Sequence, residues 1–437
     1  MLRTLVLTVL CLGPALAVQE RRRDEPRRSP ELAPRRAAFV SCTPGMVAIG
    51  NTPAHASPNP IAEALQNAAP GALIEVQAGE YPSFAVGFAK AAAWAAATSG
   101  GTAAQPIVVR AVGDVRVVPT SSGDTLAIAQ QRRCGWITFE GLTFVCGYRA
   151  GIMFYKCGPN ELHEGFRFLD CNVEGGFDHV RGVGNNSKWG VWGHSLKDFE
   201  FRGVKRRPYV RSIRQEHGFY LQNPRGDVTI ENVDASRLGR TFVQFTSRPG
   251  DGAPGVGTIT VRNCRVEDAC IARGDDFKGG SAFTVAGRHE GTLIFERNRY
   301  RAGFSRELLG LTREGVPYGT GAFVSWDGRG EPSRTLVLED NDFELAPGCG
   351  DRPLVSIGGC RELRIAGHNR FAAGANVALD LDPPPQSGFA TNPCGRISLA
   401  ETTELRGGVR WRGETASEKQ LSELRPKPAA GTGTNGR

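Results

Sequence analysis

The sequence predicts an all-β parallel solenoid, and three observations carry that prediction. An apolar–x–apolar phrase recurs eight times at a spacing of roughly thirty residues. The copies are Ile137-Thr138-Phe139, Phe166-Arg167-Phe168, Phe199-Glu200-Phe201, Val228-Thr229-Ile230, Ile259-Thr260-Val261, Leu293-Ile294-Phe295, Leu336-Val337-Leu338 and Leu363-Arg364-Ile365. Each has the period-2 alternation of a strand with one buried face. Most copies are followed by a small or turn-prone residue, namely Gly141, Asp170, Gly203, Asn232, Asn263, Asp340 or Gly367. Such residues accept a left-handed corner at little steric cost. A second strand set follows the first: Gly218–Gln222, Phe242–Thr246, Ala282–Val285, Ala322–Trp326 and Leu354–Ile357. A short unit of this kind cannot bury its own apolar face, so its stable form is a stack of coils around one shared core. Two strands and a corner per coil, with room for a short third strand, make a triangular or flattened tube.

Taken in order, Met1 to Ala17 reads as a secretory signal. Arg3 supplies the basic start, Thr4 to Leu12 the apolar stretch and Ala15-Leu16-Ala17 the cleavage site. Residues 18–41 form a basic leader with seven arginines between Arg21 and Arg36, expected to be disordered. Residues 42–411 are the solenoid domain, without an internal linker. Pro60 to Ala69 has Ile61, Ala64 and Leu65 on one side and predicts an N-terminal helical cap over the first coil. Ala91 to Ala104 predicts an irregular excursion, and longer gaps such as Arg301 to Gly321 predict loops leaving one corner to line a binding face. The Gly-, Pro- and Thr-rich residues 412–437 are expected to be a disordered tail.

The chain carries 53 basic and 45 acidic residues, for a net charge of +8, and only 8 of the basic residues are lysine. The basic segment from Arg21 to Arg36 contains no aromatic residues, which argues against nucleic-acid binding. No apolar run after the signal is long enough to cross a membrane. An exported monomer, secreted or periplasmic, is expected. Removing Cys11 with the signal leaves ten cysteines in an oxidising compartment, without a C-x-x-C pair for zinc or redox chemistry. Local disulfides such as Cys264–Cys270 or Cys349–Cys360 are expected, with connectivity open. Cys171 and Cys264 share the inward phase of Leu142, Val204 and Val233, and read as buried thiols.

The stretch Ala62-Glu63-Ala64-Leu65, Pro70-Gly71-Ala72-Leu73-Ile74 and Gly79-Glu80-Tyr81, followed by Gln105-Pro106-Ile107-Val108-Val109-Arg110-Ala111, resembles the opening of known β-helix proteins. These are right-handed parallel β-helix proteins of the pectin-lyase-like superfamily, and the opening looks closest to polysaccharide lyase family six. The resemblance implies the right hand and an acidic polysaccharide as partner. Arg206-Arg207-Pro208-Tyr209-Val210-Arg211 is similar to the R-x-P-x-x-R signature of pectate lyases. Carried over, Arg206 removes the proton beside a uronate carboxylate and Arg211 grips the substrate. Glu174-Gly175-Gly176-Phe177-Asp178 resembles that family's calcium element, which makes Glu174 and Asp178 candidate calcium ligands.

From the residues themselves, Arg202 to Arg214 is the densest basic segment of the solenoid, and Lys205, Arg207 and Arg214 are candidate carboxylate binders. A solvated arginine corner is the competing reading. His217 and Tyr220 are chemically suited to base and acid roles, although alternation does not simply put them on one face. Asp275-Asp276 is a rival carboxylate pair, and Trp192, Tyr318 and Trp326 are candidates for stacking on sugar rings. The leading expectation is a lyase that cleaves a uronate polysaccharide by β-elimination. The alternatives are a non-catalytic carbohydrate-binding or surface-adhesion solenoid and a glycoside hydrolase using paired carboxylates.

Overall fold

A computed structural model describes residues 37–425 apart from 52, 121–122, 148, 159, 176–188, 212–216, 248–253, 271–279, 304–319, 327–331, 348–352 and 385–391. It is a parallel β-helix, with three strands per coil forming three parallel sheets, faces A, B and C. Face A contains all eight repeated phrases, from Ile137–Glu140 to Cys360–Ala366. It is completed by Ala37–Thr43, the first halves of Ala68–Pro82 and Ile107–Val118, and Arg396–Leu399. Face B runs from the second half of Ala68–Pro82 through Thr143–Val145, Asn172–Glu174 and Tyr209–Arg211 to Asp342–Leu345 and beyond. Face C contains the second strand set of the sequence, including His217–Gln222, Val243–Ser247 and Gly280–Gly287.

The alternation of the repeated phrase becomes a single column of side chains down the core. Val40 lies opposite Ile74, Ile74 opposite Val109, then Phe139, Phe168, Phe201, Ile230, Val261, Phe295, Leu338, Ile365 and Leu399. All are buried. Where successive members are aromatic they stack: Phe139 on Phe168 at 5.1 Å and Phe168 on Phe201 at 6.1 Å. A fully buried large apolar side chain contributes about 1.5–3 kcal/mol, so the column is a principal source of the fold's stability.

Between faces A and B the chain turns on one left-handed residue. Gly141, Asp170, Asn232, Asn263, Asp340 and Gly367 all have positive φ, as expected. Arg297 takes the same conformation, which its residue type did not advertise. Gly203 does not: residues 203–208 form an inserted loop there, and Val204, expected inside, is 60% exposed. The residue inside this corner forms a ladder of its own. Asn298, Asn341 and Asn369 are fully buried, and the Asn341 side chain accepts from Asn298 N at 3.0 Å and donates to Phe295 O at 2.8 Å. Asn369 Oδ1 in turn accepts from Asn341 N at 2.9 Å. Cys171 and Cys264 take the equivalent place in other coils, with thiols directed at Phe139 O and Ile230 O. Burial pushes both thiols up to about 12, so they are inert packing groups.

Both ends of the stack are covered. Helix α1 (Pro60–Asn67) buries Ile61, Ala64 and Leu65, and the Asn59 side chain caps it by accepting from Ala62 N. The solenoid starts at Ala37, before the expected boundary. At the other end the expected disordered tail is ordered as far as 425. Glu414–Thr415 pairs antiparallel with Glu404–Trp411, and helix α2 (Glu418–Leu424) follows, opened by a Ser417–Gln420 capping box and burying Leu424. Composition alone concealed this short, properly capped helix. Among the described residues, no helix is long and apolar enough to cross a membrane.

The asparagine ladder predicts that Asn341→Ala leaves buried backbone groups of two neighbouring coils unsatisfied. A loss of about 2–4 kcal/mol is expected, read as a lowered denaturant midpoint. A pH effect follows from two buried histidines. His163 Nε2 faces Tyr155 O at 2.8 Å and its Nδ1 faces the Gln130 amide nitrogen at 2.9 Å, an arrangement that accommodates the neutral ring. Burial lowers His163 and His289 from 6.5 to about 4. The unfolded chain therefore binds these protons first. Stability is fully present above pH 6.5 and is lost as pH falls toward 4, by up to about 3 kcal/mol per histidine. Denaturation midpoints measured across this window should fall, with a shallower slope in His163→Gln.

Candidate functional site

The arginine motif does not form one site with the histidine and tyrosine that follow it. Arg206 lies in the loop inserted at the A–B corner, where the Asp170 carboxylate accepts from the backbone N–H groups of Val204, Lys205 and Arg206. The Arg206 guanidinium donates to Gly141 O at 2.9 Å and to Asp170 O at 3.0 Å. Arg207 donates to Asn263 O at 2.8 Å and pairs with Asp234 at 3.2 Å. Both are spent on tying the corners of neighbouring coils. Arg211, on face B, lies over the Tyr209 ring at 4.0 Å and remains 47% exposed.

Glu174 stands opposite Arg211 in the register of face B, 3.8 Å from its guanidinium and 3.1 Å from that of Arg116. Two cations already neutralise this carboxylate, so it does not fit the role of a calcium ligand, whose oxygens must present uncompensated negative charge. Among the described residues there is no group of three or more His, Cys, Asp or Glu side chains able to hold a metal. Asp178, Arg214, Asp275, Asp276 and Tyr318 lie outside the described residues.

Faces A and B are tiled with ion pairs between coils. Glu231, almost buried, sits between Arg202 at 2.7 Å and Arg262 at 3.0 Å. On face B, Arg370 pairs with Asp342 at 2.8 Å and Glu344 at 3.0 Å, and Arg301 meets the same two carboxylates. These guanidinium groups hold the Glu344 carboxyl below its usual range. Much of the arginine content is accounted for by this tiling.

Face C has a different surface. On the side of its strands away from the core runs the column Met153, Trp192, Tyr220, Gln244, Thr284, Val324 and Ser356, which carries no charged side chain before Asp380; Met153, Tyr220 and Thr284, with the neighbouring His217, are buried. Beside it runs a second column of His194, Gln222, Thr246, Ala286 and Trp326. The aromatic groups concentrate in two adjacent coils. Trp189 lies 4.6 Å from Trp192 and is stacked near Tyr220 at 6.2 Å, while His217 lies 4.9 Å from Tyr220. Amide groups link the cluster. Gln222 accepts from Trp192 Nε1 at 3.0 Å and donates to the Tyr220 hydroxyl at 3.3 Å, and Gln244 Oε1 is 2.6 Å from His217 Nε2.

His217 and Tyr220, expected to diverge by strict alternation, thus come together. The cause lies in the backbone. Gly218 and Phe219 donate consecutively to Thr241 O and Phe242 O, a local irregularity that turns the strand entry. Sequence reasoning passed over Trp189, Gln222 and Gln244. The two glutamines were legible, because Phe219-x-Leu221 and Val243-x-Phe245 leave Tyr220, Gln222 and Gln244 on the outer side. Trp189 was not, since it precedes a regular strand phase.

No protein-family model and no curated protein matches the sequence. Among solved structures the chain is similar to an alginate lyase from Paenibacillus sp. strain FPU-7. Sequence identity is 14% and the TM-score 0.43, over 86% of this chain and 98% of that one. It is also similar to pectate lyase Pel9A, at 12% identity and a TM-score of 0.40, over 68% of this chain and 72% of that one. At these values the likeness concerns the coiled architecture alone.

The corner geometry predicts that Arg206→Ala loosens the inserted loop rather than a catalytic step. Freeing Gly141 O and Asp170 O should lower stability by about 1–2 kcal/mol in chemical denaturation. Arg207→Ala should act in the same direction.

Proposed function

We propose that the chain is a polysaccharide-active β-helix protein, exported by its N-terminal signal, whose working surface is face C. The observation that carries this reading is the uncharged aromatic and amide strip around Trp189, Trp192, Tyr220 and His217, on a molecule whose other two faces are covered with ion pairs. Tryptophan rings present broad apolar faces to the C–H surfaces of sugar rings. Gln222 and Gln244 supply both donors and acceptors for hydroxyl groups. An extended polymer lying along the stack would meet a new strand about every 4.8 Å.

The reaction that fits these groups best is β-elimination on a uronate chain. The imidazole of His217 takes the proton beside the carboxylate, the bond to the leaving oxygen breaks as the double bond forms, and the Tyr220 hydroxyl returns a proton to that oxygen. Arg214, three residues before His217 in the sequence, is the candidate partner for the uronate charge. This assignment replaces Arg206 as the base, because the Arg206 guanidinium is committed to two carbonyls. No step is drawn through calcium, given the two guanidinium groups on Glu174.

A second reading, binding without turnover, is favoured by the hydrogen bonds that already engage the His217 imidazole and the Tyr220 hydroxyl with Gln244 and Gln222. Incubation with pectate, alginate and glycosaminoglycans, followed by ultraviolet absorbance of the unsaturated product, separates the two. Turnover is expected on at least one uronate polymer. Tyr220→Phe and His217→Gln should each lower kcat by about 10²–10⁴-fold, while Trp192→Ala should chiefly raise KM. Saturable binding without product across the panel would establish the non-catalytic reading. Neither binding nor product would remove face C as a carbohydrate surface.

A further inference from the structure

The last coils bring two cysteine sulfurs into contact. Cys360 opens the face A strand Cys360–Ala366, and Arg396–Leu399 runs parallel beside it with Arg396 opposite Glu362. Extending that register back by two residues places Cys394 next to Cys360, and Gly395 N donates to Cys360 O at 3.0 Å. The two Sγ atoms lie 3.2 Å apart, touching but unbonded. Cys360 is fully buried and Cys394 is 7% exposed. The Cys394 backbone is held in place by Asp382, whose carboxylate accepts from Cys394 N at 2.6 Å.

We propose that Cys360 and Cys394 are joined by a disulfide in the oxidised protein, which staples the final face A strand to the coil before it. Adjacent strands lie about 4.8 Å apart, within the roughly 4.4–6.8 Å Cα separation that a disulfide spans. The sulfurs need to approach by only about 1 Å to reach bonding distance. Other buried thiols have different neighbours. Cys42 is directed at Pro60 O at 3.4 Å, Cys171 at Phe139 O at 3.3 Å and Cys264 at Arg262 O at 3.3 Å. In the pair expected from sequence, Cys264–Cys270, the Cys264 thiol is directed at the Ile230 and Arg262 carbonyls, and Cys349 lies outside the described residues.

The oxidant is a disulfide compound, such as glutathione disulfide or the active disulfide of an oxidoreductase. One cysteine thiolate attacks it, forms a mixed disulfide and releases the first thiolate. The second cysteine then attacks the mixed disulfide and releases the other. Overall, the two thiols give up two protons and two electrons, and the oxidant becomes two thiols. Since both sulfurs are buried, the exchange occurs as the terminal coils close or when they open locally. The closed loop spans 34 residues, at the end of a solenoid where the last coil has a neighbour on one side only.

The test refolds the full-length chain from its reduced, unfolded state in a mixture of reduced and oxidised glutathione. Remaining thiols are alkylated and the protein is digested without reduction for mass spectrometry. A Cys360–Cys394 linked peptide is expected, together with a thermal midpoint several degrees lower after reduction. The Cys360→Ser/Cys394→Ser double variant should lose that redox-dependent difference. Recovery of both residues as alkylated thiols, or a bond from Cys360 to Cys349, would overturn the proposal. A mapped bond that leaves the thermal midpoint unchanged on reduction would overturn the stapling role. The peptide map is made on the unsubstituted chain and decides the pairing even if the double variant does not fold.

Discussion

Every other feature of this molecule depends on in-register stacking of one coil on the next. Each coil contributes one residue to the inward column from Val40 to Leu399, and each strand lies opposite its counterpart without slippage on face A between Ile137 and Leu399. Because side chains alternate with a period of two, a slip of one residue would turn the whole apolar set outward. A coil therefore touches only the coils above and below it, and the stack has open ends. Helix α1 at one end, and the Glu414–Thr415 strand with α2 at the other, answer that exposure.

The same stacking dictates how polar groups are placed. A residue type that suits one corner recurs at the same corner in neighbouring coils, which turns single hydrogen bonds into a ladder. Asn298, Asn341 and Asn369 each satisfy backbone groups that would otherwise be buried without partners. On the outside, stacking brings arginines and carboxylates into alternation, as Arg202, Glu231 and Arg262 show. Exposed pairs of this kind are individually worth about 0–1 kcal/mol. Their number matters more for what they exclude: faces A and B have little uncommitted chemistry to offer a ligand, and face C stands apart through its aromatic and amide groups.

The motif that looked most like a catalytic signature illustrates the limit of reading spacing alone. Arg206 and Arg211 are five residues apart, yet one ties an A–B corner while the other lies on face B over Tyr209. Only a few residues further along, His217 and Tyr220 belong to face C. Neighbours in sequence are thus carried to different sides of the tube. Trp189, by contrast, joins Tyr220 across more than thirty positions because it occupies the preceding coil.

The sequence by itself determined the architecture. The phrase from Ile137 to Ile365 encodes a buried face through period-2 alternation, and Gly141, Asp170, Asn232, Asn263, Asp340 and Gly367 encode the corners through their tolerance of positive φ. These are local properties, set by each residue and its immediate neighbours. Cys171 and Cys264 were legible as buried for the same reason, since phase within the repeat is a local count. Tertiary structure alone decided which side chains meet between coils. The turn that brings His217 beside Tyr220 comes from backbone bonds to the next strand. The insertion that expels Val204 is held by Asp170 from the preceding coil, and Cys360 meets Cys394 through strand register. Contacts of that kind depend on the exact length of each intervening coil, a sum over many residues that no short motif contains.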